Sequence, residues 1–194
     1  LTGIPCLEEA HALSPWAGTQ RVTLRREMEH LALEKSGKLI YATTEEQRKL
    51  LAANNDADAL LLYHGKILAS EELKADELRL LRTIIHEQVE AIMQILAEHE
   101  KSRYQGIKEL ILPRNGLREA YSALFINGKM PELKPELILN DMIASAFELL
   151  ILNENGLLKR SELSREEQIY IELIRPLVEA NQHNYFNGMF WDGR

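Results

Sequence analysis

His86 and Glu90 stand four positions apart in the run His86-Glu87-Gln88-Val89-Glu90. On a helix that spacing sends both side chains from one face, about 5 to 6 Å apart, a gap that two ligands of one metal ion can close. An imidazole nitrogen and a carboxylate oxygen are both ordinary zinc donors. A site of this kind needs a third protein ligand. His99 lies thirteen residues beyond His86, about 20 Å along an unbroken helix, so it can join only after a break. Glu109, past a turn expected near Gly106, is the preferred third ligand because it can fold back on the helix. His183, His30 and Glu27 are more distant candidates. The same His–Glu pair also suits an ordinary helix surface, where it contributes a few tenths of a kcal/mol as a local ion pair.

The stretch Gly65-Lys66-Ile67-Leu68-Ala69-Ser70-Glu71-Glu72-Leu73, followed by Leu80-Leu81-Arg82-Thr83-Ile84-Ile85-His86-Glu87-Gln88-Val89-Glu90-Ala91, resembles the core of a zincin-type metallopeptidase. In that family a small sheet precedes a helix carrying His-Glu-x-x-His. The resemblance spans about residues 58–100, and Glu90 stands where the family has its second histidine. It implies zinc held by His86 and Glu90, with Glu87 as the general base on a polarised water. The implied activity is hydrolysis of a peptide or amide bond in a peptide or protein substrate. The alternative is a non-catalytic helical interaction or scaffolding domain of a larger protein, in which the same residues are structural.

These residues require a long helix behind a hairpin. Leu78, Leu81, Ile85, Val89, Ile92 and Leu96 recur in steps of three and four, and Ile84, Ala91 and Ile95 widen the stripe beyond one face, which predicts a central helix buried on more than one side. Ser70 or Asp76 can cap it. Upstream, Ala59–Tyr63 and Lys66–Ala69 read as two short strands across the turn His64-Gly65. Leu60, Leu62 and Ile67 are expected to share a core with Leu81, Ile85 and Val89. Lys38–Ala42 is a further short strand, and Thr43-Thr44-Glu45-Glu46 opens a helix reaching about Asn54. An irregular arm and an amphipathic helix over Val22–Glu34 precede these elements. Downstream, helices are predicted around residues 107–112, 117–126 and 136–152. A last helix over about residues 164–186 opens on the capping box Ser164-Arg165-Glu166-Glu167, with Pro176 kinking or dividing it. The aromatic ending Tyr185 to Trp191 is expected to dock on the body.

The predicted fold class is therefore α+β: a small sheet packed on a long motif helix, followed by a helical half. Residues 1–112 form the α+β core with its arm. Residues 113–194 form a helical subdomain packed on that core as one unit.

Composition narrows the function. Of 194 residues, 45% are hydrophobic and 27% charged, a balance that supports a packed domain. A net charge of −7 argues against a nucleic-acid surface, whose affinity comes from clustered Lys and Arg. No apolar run approaches the length of a bilayer span, so no membrane partner is expected. Cys6 is the only cysteine, which suits a reducing, cytoplasmic setting. The chain begins with Leu1, and further domains of a longer parent chain are expected partners.

Overall fold

The computed structural model describes residues 34–53, 57–62, 66–124, 135–154 and 156–186. The N-terminal arm, nearly all of the helix expected over Val22–Glu34, the turn at 63–65 and residues 187–194 lie outside them.

Three short strands are present: β1 (Leu39–Tyr41), β2 (Ala59–Leu62) and β3 (Lys66–Ala69). β3 is central, parallel to β1 and antiparallel to β2. The Ile67 amide donates to the Lys38 carbonyl and the Ala42 amide to the Ala69 carbonyl, so residues 67 and 69 turn their backbone groups toward β1. The Ser70 amide donates to the Asp58 carbonyl on the other side. By the alternation of an antiparallel pair, Ala59 and Leu61 then direct their amides and carbonyls away from β3, along the outer edge of β2, which pairs with no other strand among the described residues.

The sheet lies between two helices. On one face Leu68, with Ala42, packs on Leu51 of α1 (Glu45–Ala53). On the other, Leu39, Ala59, Ile67 and Ala69 pack on Leu80 and Ile84 of α2 (Glu77–His99). The hairpin does meet the motif helix, but through other residues than expected. Side chains alternate across a strand, so Leu60 and Leu62 fall with Leu68 on the α1 side. The stripe Leu81, Ile85, Val89 faces away from the sheet.

That stripe meets α5. After α3 (Lys101–Ile111) and α4 (Asn115–Ser122), α5 runs over Pro135–Glu154 and α6 over Arg165–Ala180. Ile85, Val89, Ile92 and Met93 share one core with Leu139, Met142, Ile143 and Phe147 of α5 and with Tyr170 and Ile174 of α6. The molecule is α+β with a helical C-terminal half, and its central helix is buried on both sides because sheet and helices claim different faces. No described helix is long and apolar enough to cross a membrane.

Local signals place the ends. Asp76 accepts the Arg79 amide at 3.0 Å and caps α2, while Ser70 caps the short 3-10 turn before it. Ser164 and Glu167 form the reciprocal capping box of α6. α6 continues through Pro176 to Ala180, so the proline, which is exposed, does not divide it. The chain then docks: Phe186 is fully buried against Phe147, and the Tyr185 ring covers Gly106 so closely that a Cβ there would lie 2.2 Å from it.

Ile85 has no exposed surface. Ile85→Asp would place an unpaired carboxylate in the shared core and should cost several kcal/mol, on the order of 4. Thermal or urea unfolding checks this; a variant within about 1 kcal/mol of the parent would mean that this face of α2 is not core.

Candidate metal centre

On α2, Arg79, Arg82, His86 and Glu90 follow one another at three- and four-residue steps and form a polar line between the two apolar faces. α5 carries a matching line. In a helix otherwise dense in Leu, Ile, Ala and Phe, Asp141, Ser145 and Glu148 stand at i, i+4 and i+7. The apolar packing of α2 on α5 brings the two lines face to face.

His86 is where they join. Its Nε2 lies 2.9 Å from Asp141 Oδ1 and 3.9 Å from Glu90 Oε1, and its Nδ1 lies 3.4 Å from Glu148 Oε2. Two carboxylates on the two ring nitrogens call for a proton on each nitrogen. Burial works against that charge, but Asp141 and Glu148 outweigh it and hold the imidazolium well above the ordinary histidine range. Burial also raises Glu90, with Asp141 adding repulsion and His86 offsetting part of the rise.

Glu87 is 8% exposed and turns to the sheet side, where the Leu61 amide on the outer edge of β2 donates to it. Burial, and then repulsion from Glu90, push its carboxyl up to about 7. A carboxyl titrating near neutrality can both take and return a proton. His86, Glu87, Glu90, Asp141 and Glu148 line an open cavity of about 830 Å³, bounded on the far side by residues 57–60 at the start of β2.

One atom each from His86, Glu90 and Asp141 lies within 4.8 Å of the others, and this is the one such group among the described residues. A tetrahedral ion with bonds of roughly 2.1 Å spaces its ligands about 3.4 Å apart, so His86 Nε2 and Asp141 Oδ1, at 2.9 Å, need to open by about half an ångström and Glu90 Oε1, at 3.9 Å from Nε2, needs to close by about as much. One imidazole with two carboxylates is a donor set that divalent zinc accepts.

No protein family, curated protein or solved structure matches this chain.

The fold brings three of the four residues expected from the sequence, His86, Glu87 and Glu90, to one cavity. Glu109 does not join them. α2 runs unbroken to His99 and α3 follows at once, leaving Glu109 on the exposed side of α3, where it accepts from Gln105 at 2.8 Å. His99 is exposed beside Glu98, and His183 is exposed in the turn over Gln182–Phe186. His30 and Glu27 lie outside the described residues. Asp141 takes the third place. A polar line through an apolar helix was the sequence signal for it, 55 residues from His86.

Glu87 yields a pH-dependent expectation. Its pKa is about 7 in the fold against 4.5 unfolded, so it makes no difference below about pH 4 and lowers stability progressively as pH rises from 4.5 to 7. Glu87→Gln should therefore be more stable than the parent at pH 8, by roughly 1 to 3 kcal/mol, and no more stable at pH 4. Urea unfolding at both pH values checks this; a difference independent of pH would contradict the burial of an ionisable Glu87.

Proposed function

We propose that this chain is a zincin-type, metal-dependent hydrolase acting on peptide or protein substrates, with zinc held by His86 Nε2, Glu90 and Asp141. The observation that carries it is the orientation of His86. Its Nε2 opens between two carboxylates onto a cavity while its Nδ1 is held by Glu148, the arrangement by which proteins aim an imidazole at a metal and fix its tautomer. Bound there, zinc would supply Lewis acidity and lower the pKa of water in the cavity.

The remaining roles fall to this chain's own groups. Glu87, beside His86 and poised near neutrality, takes the proton of the attacking water and returns it to the departing nitrogen. The outer edge of β2, unpaired with any other described strand, leaves the Ala59 amide and carbonyl and the Leu61 carbonyl directed outward for an extended peptide, the Leu61 amide being taken by Glu87. A cytoplasmic setting fits the lone Cys6.

A second reading rests on the same histidine. In it, the imidazolium between Asp141 and Glu148 is a charged clasp between α2 and α5 in a non-catalytic scaffolding domain, with no metal role.

Zinc titration with pH-indicator detection separates the two. The hydrolase reading expects near-stoichiometric binding at neutral pH, tighter as pH rises, with about one proton released per ion because the raised-pKa imidazolium must lose one. His86→Ala should abolish it. Glu87→Gln should keep the ion and lose about 10²- to 10⁴-fold in cleavage of a fluorogenic peptide library. No zinc binding at neutral pH, or binding indifferent to His86→Ala, would contradict the site and leave the clasp.

A further inference from the structure

The charged line continues past the three donors. Glu148, 7% exposed, gives one oxygen to His86 Nδ1 and the other to Arg82 Nε. Arg82 Nη2 donates to Glu167 Oε1 at 3.0 Å. Glu167 is itself fixed: its Oε2 accepts the Ser164 amide at 2.8 Å, and its own amide donates to Ser164 Oγ at 3.1 Å. The N-terminus of α6 thus holds Glu167, which holds Arg82, which holds Glu148, which holds His86.

Each link is demanding. Glu148 is nearly removed from water, and a buried carboxylate that loses one counter-charge must find another or shift. The counter-charge that remains is His86, so without Arg82 the carboxylate is free to turn on its one remaining partner and carry the imidazole out of line. Arg82 answers two carboxylates with two different nitrogens of one rigid plane, which a lysine ammonium cannot reproduce. Arg82 lies one helical turn before His86 on α2, and Glu148 two turns after Asp141 on α5, so the chain crosses between the helices and is anchored on a third.

We propose that Arg82 and Glu167 are positioning residues for His86, acting through Glu148, so that the start of α6 sets the geometry of the metal centre. This rests on the metal-site reading for its effect on zinc, but not for its effect on the histidine ring.

The test measures zinc dissociation constants by competition with a chromophoric chelator, alongside the ring ¹⁵N–¹H spectrum of His86 in the metal-free protein. Arg82→Met should weaken zinc about 10- to 100-fold, the range seen when the outer partner of a metal-bound histidine is removed. Arg82→Lys should recover part of that loss, and Glu167→Gln should fall between parent and Arg82→Met. Tyr104→Phe, which removes a hydrogen bond to Asn140 at 3.1 Å in the same core, should leave zinc affinity unchanged even if it lowers the melting temperature. In the metal-free spectrum, the hydrogen-bonded Nδ1–H of His86 should be slow to exchange in the parent and shifted and fast in Arg82→Met.

Zinc affinity within twofold of the parent in both Arg82→Met and Glu167→Gln would overturn the proposal. So would losses that merely track melting temperature across all four variants. Should Arg82→Met fail to fold, Glu167→Gln carries the same comparison. Should the parent bind no zinc, the metal reading fails, and the ring spectrum still decides: an Nδ1–H signal indifferent to both substitutions overturns the positioning role, and a displaced signal upholds it.

Discussion

A single imidazole held between two carboxylates governs how the two longest described helices meet. Apart from one another, Glu148 would be a nearly buried carboxylate without this counter-charge, and the partly buried His86 and Asp141 would lose their ion pair. Apolar packing alone tolerates sliding, because Leu, Ile and Met fill space in several ways. The charges do not: His86 meets Asp141 and Glu148 only when its turn of α2 faces the two turns of α5 that lie between them. Apolar faces draw the helices together, and the ionic contacts fix their register.

The position of the cavity follows. α2 gives one apolar face to the sheet and another to α5, and the polar line between them opens where neither partner covers it. Glu87 is caught on the sheet side of that seam, close enough to β2 to accept the Leu61 amide and buried enough to titrate near neutrality. A carboxyl held so far above its ordinary range lowers stability at neutral pH, a cost that an apolar or amide side chain there would not incur. Strain of this kind, in a cleft with a specific charge partner, is what acid–base chemistry uses.

Much of this is legible in local sequence, and the reason is physical. The stripe of α2 has a period that only a helix satisfies, the strands are bounded by turn residues, and Ser164 with Glu167 announces the start of α6, so element types follow from short-range rules. His86 and Glu90 meet because helix geometry alone puts them on one face. Asp141 and Glu148 belong to another class of information. Their place depends on which face of α5 docks on α2, a long-range choice that no local period encodes, whereas the expectation for Glu109 rests on a turn near Gly106 that would fold it back on the motif helix. Likewise strand alternation separates Leu60 and Leu62 from Ala59 and Leu61 but does not say which pair meets α2, and the sheet places Leu60 and Leu62 on the α1 side.

The central claim is that His86, Glu90 and Asp141 converge on one metal ion. Anomalous diffraction at the zinc edge from crystals grown with equimolar zinc tests it most directly. The account predicts one dominant peak about 2.0 to 2.2 Å from His86 Nε2 and from an oxygen of each carboxylate, with Nδ1 still directed at Glu148. A map with no peak at this position, and His86 still bracketed by Asp141 and Glu148, would contradict it.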